Sequence, residues 1–76
     1  MPMSAQYGVV LFDSTQRAIQ AERVLKAAGL PVKLIPVPRQ VSSDCGVCLR
    51  FLWEDHARVE EVLRTHKVAF AAIRQI

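Results

Sequence analysis

Both cysteines of the chain fall in one stretch, Ile35 to Cys48, which also holds Pro36, Pro38, Arg39, Ser42, Ser43, Asp44 and Gly46. Cys45 has the surroundings of a working thiol. Gly46 beside it removes a side chain next to the sulfur and permits unusual backbone angles, so another molecule can approach. The hydroxyls of Ser42 and Ser43 and the loop amides can hydrogen-bond a thiolate, and the Arg39 guanidinium favours one electrostatically. Asp44 acts the other way. A thiol with a lowered pKa attacks at neutral pH. The same residue reads equally well as a small side chain where the loop tucks under a sheet, since unpaired cysteines are commonly buried. Arg39, after two prolines, is either an anion-binding group on a stiff segment or a solvated loop arginine.

Cys48, a second thiol in the stretch, alternates with Val47 and Leu49 as a strand residue, which favours packing over reactivity. The C-x-x-C spacing raises a redox pair or half a zinc site. Three steps of about 3.3 Å along a strand put the two Cα atoms roughly 10 Å apart on opposite faces. A disulfide needs about 7 Å or less. The two cysteines are therefore expected to stay unlinked, although a turn at Cys45 would shorten the distance. Structural zinc wants four ligands, and His56 and His66 are ten residues apart on one helix, about 15 Å. No metal site is expected. There is no phosphate-cradling glycine loop and no Ser-His-Asp spacing, so no cofactor is expected either.

The elements that must position this stretch are regular. Gln6 to Phe12 reads as a strand, and Asp13, Ser14 and Thr15 can each cap the helix that follows. Ala18, Ala21, Leu25 and Ala28, with Val24, form its apolar face from Gln16 to Ala28, and Gly29 stops it. Val32 to Ile35 is a second strand, ended by Pro36 and Pro38. From Gly46 to Trp53, Val47, Leu49 and Phe51 point one way and Cys48, Arg50 and Leu52 the other. Glu54 or Asp55 opens a second helix, to about His66, with Val59, Val62 and Leu63 inward. Lys67 to Ile73 is the last strand. The order β-α-β-β-α-β predicts an α+β, ferredoxin-like domain over residues 1–76: a four-stranded antiparallel sheet with both helices on one face. The other face would carry Lys33, Ile35, Cys48, Arg50 and Leu52, open to solvent or to a second copy of the chain.

At 76 residues the domain buries only about 60% of its unfolded surface, so a homodimer is one expected source of added stability. The net charge of +3 raises nucleic-acid binding, but Glu22–Lys26, Glu54–Arg58 and Glu60–Arg64 have the spacing of helix-surface pairs. The bases read as interleaved with acids, and no nucleic-acid partner is expected. No apolar run approaches the roughly 20 residues that span a bilayer. The first residues lack a secretory pattern, so a cytoplasmic setting with reduced thiols is expected.

The run Pro36-Val37-Pro38-Arg39, a short spacer, then Ser42-Ser43-Asp44-Cys45-Gly46 and an alternating strand reaching Arg50, resembles small bacterial selenium/sulfur carrier-like proteins. That family was first catalogued as a domain of unknown function. The resemblance extends to the opening strand, the Ser-Thr cap, the helix with Gly29, and Leu34-Ile35-Pro36. It implies a role carrying sulfur or selenium on Cys45, loaded by a donor enzyme such as a cysteine desulfurase and unloaded to an acceptor enzyme. Such a protein is a carrier more than a true enzyme. The alternatives are a small module binding an anion or other ligand through the Pro36–Gly46 loop, and a structural, homodimerising domain.

Overall fold

A computed structural model of the chain describes residues 6–41 and 46–76. The elements run β1 (Tyr7–Leu11), α1 (Thr15–Ala27), β2 (Val32–Pro36), β3 (Val47–Leu52), a 3-10 turn (Trp53–Asp55), α2 (His56–Thr65) and β4 (Ala72–Gln75). The sheet order is β2-β3-β1-β4, and every neighbouring pair is antiparallel. This is the ferredoxin-like α+β arrangement.

Both helices cover one sheet face. Ala18, Ala21 and Leu25 of α1 and Val59, Val62 and Leu63 of α2 join Val10, Leu49 and Phe51 in the main core. The small alanines let α1 lie close to the sheet. Period-two alternation sends Val9, Leu11 and Cys48 to the opposite face, where they form a second, smaller cluster with Ile35, Val37, Val41 and Ala72. The division of β3 between Leu49/Phe51 and Cys48/Arg50 agrees with its sequence alternation.

Helix ends account for most departures from the expected boundaries. Ser14 caps α1, its Oγ accepting the Arg17 N–H at 3.3 Å. At the other end Gly29 has φ 83°, with Gly29 N–H on the Lys26 carbonyl and Leu30 N–H on the Leu25 carbonyl. This paired motif satisfies carbonyls that the helix leaves orphaned. The same motif closes α2: Lys67, at φ 56°, donates to Arg64 O and Val68 to Leu63 O. Lys67 and Val68 therefore finish the helix instead of starting the last strand. Val68 is buried against the core, and β4 pairs with β1 only from Ala72. β3 ends at Leu52, because Trp53 turns into the 3-10 segment that leads to α2.

Among the described residues two of the three expected helix-surface ion pairs form, Glu22–Lys26 and Glu60–Arg64. Glu54–Arg58 does not, since Glu54 lies in the 3-10 turn and lacks α-helical spacing to Arg58. No described helix is long and apolar enough to cross a membrane.

Candidate functional site

β2 and β3 deliver the loop. Their register runs from Val32↔Phe51 to Pro36↔Val47, and one further bond, Val37 N–H to Gly46 O at 3.2 Å, extends the pairing into the loop base. Pro36 contributes no N–H, so the edge strand loses nothing at that position. A turn follows, with Val41 N–H on the Pro38 carbonyl at 3.0 Å. It points Arg39 and Gln40 into solvent and brings Val41 back against the Val9–Leu11–Cys48 cluster. The face expected to be open is thus partly covered by its own loop, a contact with no signature in the sequence pattern.

Cys48 is the cysteine that this packing encloses. It pairs in register with Leu11 on one side and Ile35 on the other and has 0% exposure. Its sulfur is out of contact with solvent, so an outside reagent has no direct path to it. Gly46 is exposed, and among the described residues nothing stands within 4 Å of where a Cβ would be. Open space therefore lies beside the loop base at Gly46 on the side of the described residues. Ser42, Ser43, Asp44 and Cys45 lie outside the described residues, as does the expected separation of the two cysteines.

Each histidine is held by a backbone carbonyl close by in sequence, His56 by the 3-10 turn before α2 and His66 by α2 itself. His56 Nδ1 is 3.1 Å from the Trp53 carbonyl oxygen, and its ring stacks on Trp53 at 4.6 Å between centroids. His66 Nδ1 is 3.0 Å from the Val62 carbonyl oxygen. Among the described residues no three His, Cys, Asp or Glu side chains group as metal ligands would.

The family model described as "Putative Se/S carrier protein-like" matches residues 7–75. The chain belongs to this family. The Se/S carrier-like match takes in every strand and helix as well as the loop. A second similarity is to the Escherichia coli (strain K12) protein named "Uncharacterized protein YtiA", 38% identical over 39 residues. That stretch covers 51% of this chain and 46% of the relative, so the chain spans about half the length of the relative it matches. No solved structure matches.

Sequence reasoning passed over two features of the site's surroundings. Gly8 is buried opposite Phe51 and allows Phe51 and Trp53 to pack onto the strand; a glycine inside a strand run is a recognisable signal of such close approach. Tyr7 carries the Arg50 guanidinium 4.5 Å above its ring centroid, a pairing across two strands that no local pattern announces.

Proposed function

We propose that the protein carries sulfur or selenium on Cys45. The observation that supports this most is the burial of Cys48 within a chain whose family carries a selenium/sulfur-carrier description. With Cys48 enclosed, Cys45 is the chain's remaining thiol, and it follows a loop whose described part is stiffened by prolines and turned outward at Arg39.

In this reading the Cys45 thiolate attacks the outer sulfur of a persulfide on a donor enzyme such as a cysteine desulfurase. The bond between the donor's two sulfurs breaks, and its electron pair stays on the donor cysteine as a thiolate. Cys45 then holds a persulfide (or, with selenium, a selenopersulfide). An acceptor enzyme's nucleophile attacks the outer atom, and Cys45 leaves as a thiolate. No external oxidant or reductant enters either transfer. Arg39, Ser42, Ser43 and Gly46 serve the step by favouring the anion and leaving room for the incoming sulfur.

The test is the intact mass of protein incubated with a cysteine desulfurase and cysteine. Wild type and Cys48→Ala should gain one sulfur, and Cys45→Ser should gain none. Loading that persists in Cys45→Ser and disappears in Cys48→Ala would assign the chemistry to the wrong thiol. No loading of wild type would leave the ligand-binding loop as the better reading.

A further inference from the structure

Charge in this chain is divided by layer. The strands contain no acidic residue. Asp13, Glu22, Glu54, Asp55, Glu60 and Glu61 all sit on the helices or the turns attached to them, where they are matched in number by Arg17, Arg23, Lys26, Arg58, Arg64 and Lys67. The net charge of +3 is therefore that of Lys33, Arg39, Arg50 and Arg74 less Asp44.

Register gathers three of these cations. Lys33 of β2 is opposite Arg50 of β3, Arg50 is opposite Val9 of β1, and Val9 is opposite Arg74 of β4. Directly opposed residues share a face, so Lys33, Arg50 and Arg74 form one row across the helix-free side. Among the described residues none of the three has a carboxylate partner; Arg50 lies over the Tyr7 ring. Like charges directly opposite each other in a sheet are destabilising, and here Lys33 and Arg50 bear that cost. At the end of the sheet away from the β2–β3 loop, Tyr7, Lys33 and Arg50, with Val32 and Leu52, line an open cavity of about 260 Å³.

We infer that the helix-free face is the docking surface for an acidic protein partner, with a partner carboxylate received in the cavity between Lys33 and Arg50. Charge complementarity selects the partner. A second copy of this chain docked face to face would set one cationic row against another, since a two-fold interface uses the same patch twice. Single-stranded nucleic acid is served by exposed aromatic rings on which bases stack, whereas this face has one ring in its strands, Tyr7, already covered by Arg50. A carboxylate-bearing protein surface needs only the cations, and interfacial charges of this kind chiefly set encounter rate and orientation. Arg50 is four strand steps, about 13 Å, from Gly46 at the loop base, a distance that one protein partner seated at the far end of the sheet can span to reach the loop. The inference rests on the carrier reading for the identity of the partner, but not for the chemistry of the face.

The experiment has an arm for each. In the first, isotope-labelled protein is titrated with poly-L-glutamate at low salt and followed by amide chemical shifts. The expected shifts centre on Lys33, Arg50 and Arg74, and Lys33→Gln combined with Arg74→Gln, both exposed positions, weakens binding about tenfold. Arg17→Gln on α1 leaves it unchanged. Shifts confined to the helices would overturn the inference. So would tighter binding of a single-stranded oligonucleotide of equal charge to the same face, or concentration-dependent shifts there in protein alone.

In the second arm, sulfur loading by a cysteine desulfurase should slow with added salt and in Lys33→Gln/Arg74→Gln, while alkylation of Cys45 by a small neutral reagent is unaffected. Loading indifferent to both salt and substitution overturns the docking face. Absence of loading in wild type, with poly-L-glutamate still bound at the row, overturns the carrier reading and supports the acidic-partner face.

Discussion

Gly8 stands directly opposite Phe51 in the β1–β3 pair, and a methyl group added at Gly8 would lie 2.6 Å from both Phe51 Cζ and Trp53 Cε3. The glycine is the space into which two aromatic rings pack, 6.0 Å apart between centroids. Phe51 is 2% exposed, so it has little freedom to retreat. Gly8→Ala should destabilise the fold by about 1–3 kcal/mol, the usual cost of overpacking a filled core. Urea denaturation would measure this; an unchanged midpoint would mean that the Trp53 ring swings aside without loss.

Lys67 is the reverse case, a residue with a Cβ where glycine would do better. It holds the left-handed position that Gly29 holds at the end of α1, and an L-residue there costs roughly 1–2 kcal/mol. Lys67→Gly keeps both closing bonds, since they come from the backbone. Part of the gain is offset by the greater freedom of glycine in the unfolded chain. The expected net stabilisation is about 0.5–1 kcal/mol, visible as a raised melting temperature. A fall would show that the lysine side chain contributes more than its strain costs.

The enclosed position of Cys48 makes slow labelling of that thiol the expected outcome. A thiol-specific chromogenic reagent should titrate one thiol rapidly in native protein and two in denaturant. Cys48→Ala should lower stability by about 1–2 kcal/mol, the effect of leaving a small void between Leu11 and Ile35, without changing the fast native labelling. Two rapidly labelled thiols in the native state would contradict the burial of Cys48. No thiols in denatured, unreduced protein would show a Cys45–Cys48 bond in place of the expected unlinked pair.

Local periodicity carried the architecture. The alternation of Leu49 and Phe51 with Cys48 and Arg50 placed β3 correctly between its two faces, and Ala18, Ala21 and Leu25 identified the buried side of α1. Gly29 announced its helix stop because glycine is the residue that suits that backbone. Lys67 announced nothing, and so Val68 read as strand although it closes a helix. Features made across strands were less legible still. The Lys33–Arg50–Arg74 row exists only once register is fixed, and register depends on where β4 begins, which the sequence pattern placed five residues early. Val41 reaches the Cys48 cluster through a turn at Pro38, and neither its spacing nor its type distinguishes it from a solvated loop valine. Membership of the Se/S carrier-like family, by contrast, was legible from the loop itself.

Arg39 tests whether the stiff half of that loop influences the thiol in its other half. The side chain is exposed on the Pro38–Val41 turn, and among the described residues it makes no ion pair, so its removal should not disturb packing. If its charge favours the Cys45 thiolate, Arg39→Ala slows alkylation at neutral pH about two- to three-fold at low ionic strength. The difference should shrink towards zero at about 1 M salt, where the screening length falls to roughly 3 Å. Arg39→Lys, which keeps the charge and loses the planar fork, should stay near the wild-type rate if the effect is Coulombic and fall towards the alanine rate if a directed guanidinium hydrogen bond is needed. Identical rates for wild type and Arg39→Ala across the salt series would remove Arg39 from the site and leave activation of Cys45 to Ser42, Ser43 and the loop amides.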